Sequence, residues 1–214
     1  MRIALLLTGY TRTYKECFPS IKKNMLSKYP MDIFCSTWEF QEDGSKTNAS
    51  MLCETYNTKK IIIVPQPDDP IFKKTKDLDI FVFNARAKEH GVFWADRLAR
   101  QWKLVQHCFN LIEDSYDLVI RTRYDLYLND FSFENIKKNT IYHPKDIGGW
   151  DFTDHMAYGD YHSMKVYCNL FSNIQELYES DVDVTHAVDM PKKYLLNNFV
   201  SIKSSDKILY RLYK

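Results

Sequence analysis

No GxxxxGK[ST] loop and no GxGxxG turn occurs in the chain. Their absence removes a P-loop that would cradle ATP or GTP and the usual dinucleotide fingerprint. GxSxG and HExxH are missing as well, so an esterase-type nucleophile elbow and a zincin site are not expected. Cysteine is sparse: Cys17, Cys35, Cys53, Cys108 and Cys168 contain no CxxC pair and are odd in number. This spacing argues for reduced thiols in a cytosolic setting and against a structural zinc site. An excess of one charge is absent too, with 29 Lys and Arg against 28 Asp and Glu. A nucleic-acid polymer or an anionic membrane surface would attract a chain with a large basic excess, so anion binding here has to be local. The start, "MRIALLLTGY", stops its apolar run at Thr8. A membrane span needs about 20 apolar residues and a secretory leader a longer apolar core, and the chain reads as cytoplasmic.

What remains is an ordinary core-forming composition, 45% hydrophobic and 15% aromatic over 214 residues, enough for one substantial domain. "RIALLL" (2–7), "MDIFCSTW" (31–38) and "KKIIIVPQP" (59–67) read as buried strands. Helices are expected over 14–28, where Pro19 suits only a first turn, and near 48–56. The segment 84–114 carries Phe93, Leu98, Trp102, Val105, Phe109 and Ile112 at three- or four-residue spacing, the stripe of a long helix with one buried face. Strand and helix alternating over short connections predict an α/β fold with a central, mostly parallel sheet flanked by helices. Beyond Asp130 the pattern changes to short strands ("TIYHP", "DHMAYG"), a helix near 160–180 and an amphipathic helix over 190–200. These suit a mixed-sheet half, 131–214, built onto a first half, 1–130, within a single domain.

The most informative stretch is "DLVIRTRYDLYL" (117–128), taken as the fourth main strand. Alternation puts Leu118, Ile120, Thr122, Tyr124 and Leu126 on one face and Arg121, Arg123 and Asp125 on the other. Strands of a parallel sheet are apolar on both faces, and charge at the carboxyl end of a central strand sits where open α/β sheets bind ligands. Guanidinium groups grip phosphate oxygens bidentately, and a carboxylate beside them is able to hold a hard divalent cation. The plainer alternative is an Arg–Asp pair on an edge strand. "LLLTGYTRT" adds Thr8 and Thr11 hydroxyls, Gly9 for close backbone approach, Tyr10 as an aromatic face and Arg12 as a phosphate partner. On the long helix Arg97, Arg100 and Gln101 are within reach of a nucleotide, or are simply solvated. In "GGWDFTDHMAYGD" (148–160) Trp150 offers a stacking surface for a sugar, and Asp154, or Asp151, a base for an acceptor hydroxyl; Asp160 is the third carboxylate of the loop. His155 and His162 are candidates for completing a metal site, though a lone histidine is more often a hydrogen-bonding residue. Asp77 and Asp79 form a literal Asp-x-Asp, and Asp181 and Asp183 a similar pair, both read as solvated.

Together these residues resemble the GT-A glycosyltransferases, the nucleotide-diphospho-sugar-dependent class with one Rossmann-like domain. The likeness rests on "IALLLTGYTRT", the strand–helix alternation to 113, and "DLVIRTRYDLYL" where that class carries its metal-binding Asp-x-Asp. Within the class the chain is similar to small viral glycosyltransferase domains, which implies a part in capsid-protein glycosylation. The resemblance implies a UDP-sugar donor (UDP-glucose or UDP-rhamnose), a glycan acceptor, and Mn2+ or Mg2+ at Asp125. It departs at Arg123-Tyr124-Asp125, where the first aspartate of the pair is an arginine. A catalytically silent nucleotide- or carbohydrate-binding domain is one alternative. A sugar nucleotidyltransferase is another, although it needs a Gly-rich basic loop and "TGYTRT" holds one glycine.

Overall fold

The computed structural model describes residues 1–67, 85–133, 135–145, 152–180 and 187–212. Three uninterrupted apolar runs become the left half of its sheet: β1 (Ile3–Thr8), β2 (Asp32–Trp38) and β3 (Lys60–Val64). Every residue of β1 is buried, as a strand covered on both faces requires. Between β1 and β2 the helix α1 (Tyr14–Ile21) meets Pro19 in its second turn and widens at once into a π-helical turn, Lys22–Leu26. A mid-helix proline removes one backbone donor, which accounts for a regular helix shorter than the expected 14–28. The next helix, α2 (Ala49–Tyr56), is capped by the Asn48 side chain, which accepts from Met51 N at 3.0 Å, and closed by Asn57 in the left-handed region at φ 51°. Both caps match the local preferences of asparagine.

The long helix α3 (Ala85–Phe109) returns the chain from β3 to β4 (Leu118–Arg123). Leu98, Trp102, Val105 and Phe109 form the buried stripe expected of it, and Ile112 continues the stripe just past its end. The next elements are β5 (Leu126–Phe131), β6 (Thr140–Pro144) and β7 (Met156–Gly159). Three helices follow, α4 (Tyr161–Cys168), α5 (Leu170–Glu179) and α6 (Asp189–Asn197), and then β8 (Ser201–Ser205) and β9 (Ile208–Leu212). The main sheet has seven strands among the described residues, in the order β3-β2-β1-β4-β7-β6-β8. Only β7 runs antiparallel to its neighbours; the other four pairings are parallel. The chain is thus α/β with a mostly parallel, mixed sheet, and one sheet runs through both sequence halves.

Two expectations are corrected. The stretch 117–128 is not one strand, because it ends at Arg123 and turns at Tyr124–Asp125. The last β1 pairing is Thr8 with Arg123, and β7 pairs no further than Thr122. Beyond that point neither neighbour offers backbone partners. The chain leaves the sheet and pairs as β5 with β9 in a separate two-stranded ribbon. The helix expected over 190–200 stops at Asn197, and the chain resumes as β8 and β9.

The sheet separates two cores. One joins Ala4, Leu6 and Val119 to Trp102 and Val105 of α3 and to α4, α5 and α6. The other joins Leu5, Leu7, Ile120 and Tyr124 to Met25, Tyr56 and the β5 ribbon. Among the described residues no helix is long and apolar enough to cross a membrane.

Candidate functional site

From β1 the chain builds outward through β2 to β3, then crosses back over α3 to place β4 on the other side of β1. The reversal leaves a crevice at the carboxyl ends of β1 and β4, the position where open α/β sheets take their ligands. A cleft of about 260 Å³ lies there.

The β1 end forms one wall. Gly9 takes φ +118°, a conformation L side chains avoid, although a Cβ added there would meet nothing within 4 Å. The requirement is therefore conformational, not steric. Thr11 N donates to Gln41 Oε1 at 2.7 Å, which ties the loop after β1 to the loop after β2. That second loop folds back on itself through Gln41 N to Ser45 O at 2.8 Å. It brings Glu42 to the mouth, where its carboxylate pairs with Arg12 and, at 3.1 Å, with Arg97 of α3. Arg100, on the same helix, is held by Asp96 and by Pro67 O at 3.2 Å.

The two β4 arginines differ. Arg121 is completely buried, at 0% exposure. It donates through Nε to Thr8 Oγ1 at 3.0 Å and through Nη1 to the backbone carbonyl of Asp154, and lies 6.0 Å from the Trp102 ring centroid. Its Nη2 completes no well-formed hydrogen bond among the described residues, the buried Tyr167 hydroxyl being the polar group beside the guanidinium, and no described carboxylate forms an ion pair with it. A buried charge is strongly unfavourable unless compensated. Arg123 instead binds Asp125 bidentately, Nε to Oδ1 at 2.7 Å and Nη2 to Oδ2 at 2.6 Å, with Arg12 at 3.5 Å from the same carboxylate. Burial alone would push the Asp125 carboxyl up, but the bonds and charge of Arg123, aided by Arg12, hold it below the ordinary range.

On the far side Asp154 accepts from the Gln101 amide. His155 stands beside it, with Nε2 3.8 Å from Asp154 Oδ1 and Nδ1 2.8 Å from the Tyr210 hydroxyl of β9. Desolvation lowers the His155 pKa; Asp154 opposes this, and Arg123 and Arg121 reinforce it.

The structure thus brings Thr8, Gly9, Tyr10, Arg12, Gln101, Arg121, Arg123, Asp125 and Asp154 to one cleft. Asp151, Trp150, Asp77, Asp79, Asp181 and Asp183 lie outside the described residues. Asp160 serves the fold by capping α4, accepting from His162 N at 3.0 Å and Ser163 N at 3.1 Å; the His162 side chain is exposed and is not part of the cleft lining. Arg97 and Arg100, which the sequence could equally place in solvent, line the cleft. Glu42 was not visible as a site residue at all: it sits in a polar loop, and no local pattern ties it to Arg97.

The cleft's lining has five arginines against Glu42, Asp125 and Asp154, an excess of two positive charges with His155 neutral. Such a lining is electropositive and attracts anions more than cations. It does not fit a hard divalent cation, which wants several oxygen ligands free of other charges. Among the described residues no group of three or more His, Cys, Asp or Glu side chains is placed to hold one, and both Asp125 oxygens are taken by Arg123.

The chain belongs to the family described as Domain of unknown function (DUF7796), whose model matches residues 1–204. No curated protein matches it.

Proposed function

We propose that this family member is a nucleotide-sugar glycosyltransferase of GT-A type, with a UDP-sugar as donor and a glycan hydroxyl as acceptor. The observation that carries the reading is Arg121: a guanidinium at 0% exposure, without a carboxylate partner among the described residues, beside the cleft at the end of β4. A diphosphate entering the crevice supplies the missing negative charge. Tyr10, half-buried against Trp38 and Leu104 at the same end, gives a nucleobase an aromatic surface.

In the transfer, the acceptor oxygen forms its bond to the anomeric carbon as the bond from that carbon to the diphosphate oxygen breaks. The electron pair leaves with the diphosphate, where Arg121 and Arg123 stabilise the growing charge through preorganised donors. The acceptor proton goes to Asp154, which Gln101 orients from α3, in a step of general-base type. Neutral His155 beside it keeps a second positive charge away from the carboxylate.

Thermal-shift titration with UDP, GDP, CMP and their sugars tests the reading, since a ligand selective for the folded state raises the apparent melting temperature. Stabilisation by UDP and UDP-sugars, with slow release of free sugar, is expected. Stabilisation by GDP alone, or by none of the panel, rules the donor assignment out.

A further inference from the structure

We infer that guanidinium groups do in this cleft what a divalent cation does in a metal-assisted transferase, so that the donor diphosphate is bound without metal. The inference rests on the nucleotide-sugar reading and names how that site neutralises its ligand. Two carboxylates at alternate positions would offer free oxygens to a cation bridging the diphosphate. Here the first of those positions is Arg123, and it occupies both oxygens of the second, Asp125, at 2.6 and 2.7 Å. A cation approaching Asp125 meets that fixed positive charge and Arg12, 3.5 Å from the same carboxylate. Placing a third positive charge there is opposed by both.

The same arrangement suits an anion. Arg121 holds one donor, Nη2, in reserve at the buried end. Arg123, two residues along the same strand face, meets the register position of Thr8 at the loop where the phosphates enter. When a diphosphate arrives, Arg123 exchanges part of its bond to Asp125 for phosphate oxygens, with Arg12 following from the β1 loop. When the bond from the anomeric carbon to the diphosphate breaks, the electron pair and the new charge fall on an oxygen among these donors. No step requires a co-reactant beyond donor and acceptor.

The experiment is calorimetric titration of UDP and, separately, of inorganic pyrophosphate, each in EDTA and in Mn2+. The expected result is UDP binding that differs by less than about twofold between the two conditions. In EDTA, Arg123→Asp, which restores the Asp-x-Asp pair, weakens UDP binding by about tenfold or more, the scale of one lost charge-assisted contact, and Mn2+ recovers part of it. Where that variant does not fold, Arg123→Gln is measured in EDTA with the same expected loss. UDP binding in the wild type that improves tenfold or more with Mn2+ overturns the inference and leaves the transferase reading intact. Equal UDP affinity of wild type and either Arg123 variant in EDTA also overturns it. Pyrophosphate binding in EDTA with no gain for UDP supports the guanidinium clamp and overturns the nucleotide reading. No binding of either probe in either condition removes both.

Discussion

The floor and the mouth of the cleft hold the same kind of charge in opposite ways. At the floor Arg121 is sealed from solvent, bonded to the Thr8 hydroxyl and a backbone carbonyl, with the Tyr167 hydroxyl beside it and no carboxylate partner among the described residues. At the mouth Arg12, Arg97 and Arg123 are each matched by a carboxylate, Glu42 or Asp125. The exposed Glu42 pairs are worth little net stability because water already solvates them, whereas Arg123 and Asp125 are largely buried and hold each other through two charge-assisted bonds. An unpaired buried charge costs far more and persists where a ligand or a network compensates it. On the proposed reading, the floor receives an anion and the mouth exchanges partners as one passes.

Substitutions at the two places should separate these roles. Arg121→Met removes the buried charge while keeping an apolar stem of similar length. UDP affinity is expected to fall by about a hundredfold, the loss of one or two charge-assisted bonds. Folding stability in urea is expected to stay within about 2 kcal/mol of wild type, because burying a lone charge offsets much of what its bonds contribute. A large loss of stability with unchanged UDP affinity would make Arg121 a structural residue and erase the contrast. At the mouth, Asp125→Asn frees Arg123 from its counter-ion, so UDP affinity in EDTA should hold or rise. Its disappearance would mean that Asp125 itself contacts the ligand or its cation. Glu42→Gln, which releases partly exposed Arg12 and Arg97, should raise UDP affinity about two- to threefold at low salt. That gain should vanish near 1 M salt, where exposed charges are screened; persistence at high salt would point to a packing change.

The smallest effect is in pH dependence. Burial lowers the folded-state pKa of His155 below its unfolded value, so the unfolded chain binds a proton more readily. This part of the stability is complete above the unfolded value of about 6.5 and declines as pH falls below it toward the folded pKa. His155→Gln should therefore flatten the melting-temperature profile on the acidic side; an unchanged slope would show that another group sets it.

Much of the left half was legible in the sequence because its signals are local. The apolar runs of β1, β2 and β3 and the helical stripe through Trp102 state their burial in consecutive residues, and the structure moved their ends by only a few positions. The turn after Arg123 was hidden because apolar residues continue at alternate positions through Tyr124, Leu126 and Leu128, serving β4 first and the ribbon afterwards. The last two strands were hidden for the opposite reason. Ser201–Ser205 is polar and largely exposed, and Ile208–Leu212 becomes a strand only because β5 lies alongside it.

By itself, the sequence determined an α/β chain with a mostly parallel sheet and an arginine pair on one face of its fourth main strand, since alternation and apolar runs report directly on burial. Only the tertiary structure decided what each arginine does. Arg121 and Arg123 share one strand face, yet α3 and Trp102 cover the first, while Asp125, swung round by the turn, neutralises the second. Charge state and partner depend on what packs from distant parts of the chain, and no spacing within "RTRYD" encodes that.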